Sequence, residues 1–231
     1  MRITRRANER GLTELRWLRS RHTFSFGEYF DPAYVAFRSL RVFNEDVVDP
    51  GQGFGSHPHK DMEILTYVIS GHLRHEDNLG NRSVLGPGHA QAMTAGRGLT
   101  HSEFNASNHE PVHFLQVWIT PQTSGLTPAY SRWQPAKRQA EPLVLLASPD
   151  GAHGSLRVWQ DAKVYLGKLQ AGRACNYVLE AGRGLWTHCV DGQICVDGIS
   201  LASGDGLGLD GSEGVRLVGE SDALFLLLDL L

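Results

Sequence analysis

GQGFGSHPHKDMEILTYVISG, residues 51–71, decides the fold. Glycines open it, two histidines separated by one proline follow, and the run MEILTYVIS leads into Gly71. Ile, Thr, Tyr and Val favour extended backbone and glycine permits tight turns, so the stretch predicts short strands bounded by turns. The same texture continues outward: YVAFRSLRVFN (34–44), VHFLQVWIT (112–120), LVLLA (143–147), KVYLGKL (163–169), CNYVL (175–179) and ALFLLLDL (223–230) read as strands. Turn clusters such as DNLGN, GPG, TAGRG, SGDG and DGSEG separate them. No long amphipathic helical stripe interrupts the pattern. Many short strands with glycine-rich turns predict an all-β sandwich or barrel architecture.

Composition narrows the function. With 231 residues, 41% hydrophobic and a formal net charge of −3, the chain has the apolar content of a folded protein, and neither disorder nor a strongly basic nucleic-acid binder fits. The 26 glycines are about 11% of the chain against a usual ~7%, in keeping with many turns. Three cysteines, Cys175, Cys189 and Cys195, give an odd count and no disulfide framework. The start carries no exported-signal pattern and no apolar run reaches the ~20 residues of a membrane span, so a soluble cytoplasmic protein is expected. Seven arginines in the first 21 residues are interleaved with Leu12, Leu15, Trp17 and Leu18, which predicts a solvated strand-edge face rather than a nucleic-acid arm.

Four prolines between residues 120 and 142 break the strand pattern. The expected division is a metal-binding domain over 1–125, a linker over 126–142 and a second β-domain over 143–231. ILTYVISGHLRHED (64–77) aligns with LWTHCVDGQICVDG (185–198), and LGPGHAQAM (85–93) with ASGDGLGLD (202–210), so the second domain reads as a weakened copy of the first.

In an extended strand alternate side chains share a face, which places the Cα atoms of His57 and His59 roughly 6.6 Å apart on one side, close enough for both imidazoles to reach one ion. His101 and Glu103 obey the same rule from another strand. Three imidazoles and a carboxylate suit a borderline divalent metal with open positions for oxygen and substrate, and no nearby cysteine suggests a closed structural zinc site. Glu63 lies an even number of residues from His59 and is an alternative carboxylate. The remaining histidines (22, 72, 75, 89, 109, 113, 153 and 188) are read as structural or surface residues. Phe24, Phe26, Phe54 and Phe104 are candidates to wall a flat apolar pocket. In the second domain the positions of His57 and His59 fall on Val178 and Glu180, and those of His101 and Glu103 on Leu217 and Gly219, so no metal set is expected there.

Gly51, His57-Pro-His59 and Glu63 resemble the first metal motif of the cupins, with Gly71 one place later than usual, and the stretch from Pro87-Gly88 to His101 resembles the second. HTFSFGEYFDP (22–32), HPHKDMEILTYVISG (57–71) and MTAGRGLTHSE (93–103) closely resemble the pirins, above all the bacterial pirin-like quercetin dioxygenases. The resemblance implies a bicupin, two double-stranded β-helix (jelly-roll) barrels packed face to face, with one mononuclear metal in the first barrel. It implies that His57, His59, His101 and Glu103 are the ligands, with Glu63 outside that set.

The activity it implies is cleavage of the flavonol ring of quercetin by dioxygen with release of carbon monoxide. The flavonol would dock its 3-hydroxyl and 4-carbonyl against the metal while Glu103 removes the hydroxyl proton. Fe(2+) is the metal expected; Ni, Co, Mn, Cu and Zn are compatible with the same donors. The expected partners are a flavonol and dioxygen, with neither nucleic acid nor membrane, and the protein is expected to be a monomer. The pirin resemblance also carries a rival reading, an iron-binding regulatory protein that senses redox state and meets a protein partner.

Overall fold

The computed structural model describes residues 1–135 and 141–231, and nearly all of its regular secondary structure is β-strand. It divides into two compact units. One comprises Gly11–Pro135 with Leu156–Gln160; the other comprises Met1–Arg10, Ala136–Ser155 and Asp161–Leu231. The strands are β1 (Arg2–Arg5), β2 (Gly11–Glu14), β3 (Leu18–His22), β4 (Leu40–Val48), β5 (Gly53–His59), β6 (Glu63–Ser70), β7 (Leu73–Asp77), β8 (Arg82–Leu85), β9 (Ala90–Thr94), β10 (Leu99–Asn105) and β11 (Val112–Ile119). They continue as β12 (Ala129–Trp133), β13 (Leu143–Ser148), β14 (Leu156–Arg157), β15 (Ala162–Leu169), β16 (Ala174–Val178), β17 (Gly184–Asp191), β18 (Gln193–Val196), β19 (Ile199–Ala202), β20 (Gly206–Asp210), β21 (Gly214–Gly219) and β22 (Ala223–Leu230).

The first unit is a barrel of two sheets, ordered β12-β9-β6-β11-β4-β3-β2 and β5-β10-β7-β8. The second repeats that order: β1-β20-β17-β22-β15-β13 and β16-β21-β18-β19. Strands β4 to β11 thus correspond one by one to β15 to β22, the jelly-roll repeat expected of a bicupin. Beside β9 in the first barrel lies β12; beside its counterpart β20 lies β1, with Arg2 opposite Leu209. The N-terminal strand therefore fills in the second barrel the edge place that β12 fills in the first.

Several expectations differ from this arrangement. Residues 1–10 belong with the C-terminal barrel, because β1 finds its hydrogen-bonding partner in β20. Within the stretch read as a linker, 136–140 lie outside the described residues, but Ala129–Trp133 form β12 of the first barrel. The run 34–44 is extended only from Leu40 onward, since Arg38 takes a positive φ of 52° and Phe37 bridges to Leu40 in a tight turn. Nor are all the early arginines solvated: Arg5 and Arg10 are buried, and Arg6 donates to Asp205 at 2.7 Å.

Inside the first barrel two apolar layers flank a polar one. Along the inward face of β6, Ile64 joins a cluster with Met93 and Leu99, and Val68 joins one with Leu73, Leu85 and Phe114. Thr66, between them, is opposite Gln116 on β11 and Gln91 on β9, all buried. In the second barrel the matching Thr187 is opposite Leu227 and Leu207, and where His57 faces His101, Cys175 faces Leu217. Leu207, Leu217 and Leu227 belong to one apolar cluster, against which Cys175 packs. By register the counterpart of His57 is thus Cys175 rather than Val178, which is exposed. A buried polar layer costs free energy that leucine would not. Its retention in only one of two like barrels marks that layer as functional. Among the described residues no helix is long and apolar enough to cross a membrane.

Candidate metal centre

Three neighbouring strands, β5, β10 and β7, build the site by simple alternation. His57 is opposite His101, which is opposite Asp77; Glu103 is opposite His75; and His59 ends β5 opposite Leu99. Between the His57 and Phe54 pairings β5 carries one extra residue, a bulge that resets which side chains face inward. The bulge draws β5 tight against β10 at Gly53. A Cβ there would lie 2.3 Å from the Glu103 carbonyl oxygen and 2.5 Å from the Phe104 Cα, so only glycine fits.

His57, His59 and His101 each bring a ring nitrogen within 4.8 Å of the others. The His57 Nδ1–H donates to the Gly55 carbonyl at 2.7 Å, which leaves Nε2 with its lone pair. His59 Nε2 lies 3.0 Å from His101 Nε2, and the His59 ring meets Trp118 edge-on at 4.9 Å. Burial, and then the neighbouring His57, press the pKa of His59 down to about 4. Burial, and then the charges of His57, His59 and His75, press that of His101 to about 2. Both are therefore neutral imidazoles at neutral pH, the form that ligates metal. In the 3.0 Å contact one nitrogen carries a single proton, and a divalent cation fits in its place.

Glu103 is buried, and its carboxylate groups with His75 and His101 within 4.8 Å rather than with His57 and His59. The structure thus brings the three imidazoles into one cluster and sets Glu103 on its far side, with His101 common to both. Its Oε1 accepts from Gln91 Nε2 at 2.9 Å and from Thr66 Oγ1 at 3.4 Å, and its Oε2 accepts from Gln116 Nε2. Burial, reinforced by the charge of Asp46, raises its pKa to about 7 despite those three donors. The glutamines are oriented in turn: the Tyr130 hydroxyl donates to Gln91 Oε1 and the Trp118 indole N–H to Gln116 Oε1, both at 2.9 Å.

Glu63 stands elsewhere. Asp61, at a φ of 49°, turns the chain between β5 and β6, so parity counted from His59 does not survive the corner. On β6 Glu63 faces opposite to Thr66, away from the imidazoles; Oε2 accepts from Thr94 Oγ1 at 2.9 Å and from the Trp159 backbone N–H at 3.3 Å, while Oε1 is buried with no partner. Burial raises its pKa from 4.5 to about 7. The folded state therefore holds this proton more tightly than the unfolded chain, and stability is fully present below pH 4.5 and falls as pH rises to 7. Glu63→Gln is expected to remove about 3 kcal/mol of that decline, measured as unfolding free energy at pH 5 and pH 8.

A cavity of 390 Å³ opens beside His57 and Glu103. Phe26, Phe54, Trp118, Leu15 and Leu18 wall it, and Asn44, Asp46 and Gln116 place polar groups inside. Of the four phenylalanines expected there, Phe24 is instead buried in the core and Phe104 lies under Arg74. Several participants escape the sequence reading, Thr66, Gln91, Gln116 and Trp118 among them. His75 and Asp77 sit two residues apart on β7, the very spacing that singles out the other pairs, and Tyr130 comes from the stretch read as linker.

Comparisons with known proteins identify the family and the fold. The family model described as Pirin matches residues 3–119, and that described as Quercetinase C-terminal cupin domain matches residues 145–230. The chain is 43% identical over 226 residues to quercetin 2,3-dioxygenase of Escherichia coli strain K12, covering 98% of this chain and 97% of that protein. The crystal structure of the bacterial pirin YhhW of Escherichia coli in complex with nickel(II) superposes with a TM-score of 0.95 at 42% identity, over 100% of this chain and 99% of that one. A quercetin 2,3-dioxygenase structure from Acinetobacter baumannii shares the fold, with a TM-score of 0.77 at 20% identity over 98% of this chain and 84% of that one.

Proposed function

The chain belongs to the pirin family, and from that premise we propose that it is a metal-dependent dioxygenase that opens the flavonol ring of quercetin with dioxygen and releases carbon monoxide. The observation that carries the reading is the cluster of three imidazoles, with the buried Glu103 carboxylate grouped on His101, beside an aromatic cavity that His57 and Glu103 line. His57, His59, His101 and Glu103 are the ligands we propose, for one divalent metal ion. Mixed imidazole and carboxylate donors suit iron(II), our candidate for the physiological occupant, as well as the nickel(II) of the Escherichia coli structure. When bound, such an ion supplies Lewis acidity that makes a flavonol 3-hydroxyl easier to deprotonate.

The rest follows from side chains. Glu103, a buried carboxylate beside the cavity, is the group we assign to accept the 3-hydroxyl proton. Gln91, Gln116 and Thr66 fix the direction of its oxygens. Phe26, Phe54 and Trp118 offer flat apolar contact to a fused ring system and keep water from the electron-rich flavonolate.

The 3-hydroxyl is the group this chemistry needs. Oxygen uptake by metal-loaded protein is therefore expected with quercetin and to fall at least about 100-fold with the flavone lacking that hydroxyl, the loss expected when a general base has no proton to take. Equal uptake with both, or none with either, would contradict the proposal; the second result would favour a regulatory metal protein.

A further inference from the structure

Behind His101, away from the cavity, runs a chain of contacts that the ligand set does not use. His101 Nδ1 lies 3.4 Å from His75 Nδ1, and His75 Nε2 lies 3.1 Å from Asp77 Oδ2. The side chains of His75 and Asp77 are wholly buried, and Tyr130 stacks on the His75 ring at 4.4 Å and 14°. Asp77 is itself fixed by the turn that follows it: Oδ1 accepts from the backbone N–H groups of Leu79 at 3.0 Å and Asn81 at 2.9 Å, and the Asn81 side-chain amide reaches both oxygens.

These contacts determine where the protons sit. A carboxylate only accepts, so the His75 nitrogen facing Asp77 carries the hydrogen. A neutral imidazole has one N–H, so His75 Nδ1 is then an acceptor. Across the contact His101 Nδ1 must donate, which strips His101 Nε2 of its hydrogen and turns a lone pair toward His59. We propose that His75 and Asp77 are positioning residues that lock His101 in the tautomer whose Nε2 can bind the metal. The proposal rests on the reading of His101 as a ligand and adds the device that keeps it ready. Outer partners of this kind change metal affinity by roughly 10- to 100-fold.

Asp77→Asn tests it sharply. The N–H groups of Leu79 and Asn81 hold the new carbonyl oxygen where Oδ1 was, so the amide NH₂ faces His75 Nε2. Both tautomers then reverse, leaving His101 with Nε2–H, the fault that an aspartate-to-asparagine change produces behind a catalytic histidine elsewhere. Imidazole ¹⁵N NMR of the metal-free full chain is expected to show His101 protonated at Nδ1 in the wild type and at Nε2 in Asp77→Asn. Chelator competition is expected to show nickel(II) held roughly 10- to 100-fold more weakly by the variant. If Asp77→Asn does not fold, His75→Leu serves instead; it removes the acceptor, so His101 should show a mixture of tautomers and the same loss of affinity.

An unchanged His101 tautomer, or nickel(II) affinity within twofold of wild type, overturns the proposal. So does a zinc-induced ¹⁵N shift at His75 Nδ1, which would make His75 a ligand. If His101→Ala held nickel(II) as tightly as wild type, the metal reading would fall and the proposal with it. The two failures are distinct, because the first leaves His101→Ala without metal.

Discussion

His101→Ala is expected to lose its metal and, with it, at least about 1,000-fold in kcat/KM for quercetin, the residual expected when a group essential to the chemistry is removed. His101 is the one side chain common to both clusters, touching His59 through Nε2 and His75 through Nδ1 while its ring lies 4.5 Å from that of His57. Two imidazoles on β5 remain in the variant, with no imidazole on β10 to close the site against them and Glu103 as the sole proposed ligand on that strand. Folding is expected to survive, since the alanine leaves a small polar gap worth about 1–3 kcal/mol. Added nickel(II) should raise the melting temperature of the wild type and leave that of the variant unmoved, because only a protein that binds the ion gains from it. Metal content after dialysis and thermal shift with and without nickel(II) check both statements.

Glu103→Gln separates proton transfer from architecture. The amide is isosteric, and its surroundings accommodate it asymmetrically. Gln116 cannot turn over without leaving the Trp118 N–H opposite an NH₂ group, whereas Gln91 can, because the Tyr130 hydroxyl is also within 2.5 Å of the Ser83 hydroxyl and is free to exchange its roles as donor and acceptor. The NH₂ of the new side chain therefore points to Gln91 and the fold persists. A glutamine cannot accept the 3-hydroxyl proton, so kcat is expected to fall about 10²- to 10⁴-fold. Because burial and Asp46 hold the Glu103 pKa near 7, wild-type protein without metal is also expected to bind nickel(II) more tightly as pH rises from 6 to 8, with Glu103→Gln flatter over that range. Equal pH slopes in the two proteins would show that this carboxylate does not take part.

Local alternation made much of this legible in the sequence. Within an unbroken strand, parity alone puts His57 beside His59 and His101 beside Glu103, and glycine and β-branched runs identify a barrel and its weakened copy. Parity fails wherever the chain turns a corner. Glu63 counts as a neighbour of His59 only if the backbone runs straight through Lys60–Met62, and the positive φ of Asp61 breaks that line. His75 and Asp77 have the right spacing, but their role depends on β7 lying against β10, a pairing 26 residues apart that no local pattern encodes. The same is true of Tyr130, on an edge strand with little apolar alternation, and of β1, whose partner β20 lies near the other end of the chain. That the second barrel carries other residue types at the positions matching the ligands is visible in sequence, but only register shows that leucines stand opposite Thr187 where glutamines stand opposite Thr66.

The most direct test of the account is a gas balance. Protein loaded with one equivalent of iron(II) and mixed with quercetin in oxygenated buffer should consume one dioxygen and release one carbon monoxide for each quercetin lost, while His101→Ala treated identically releases none. Quercetin loss without carbon monoxide, or release of equal amounts by both proteins, would contradict it.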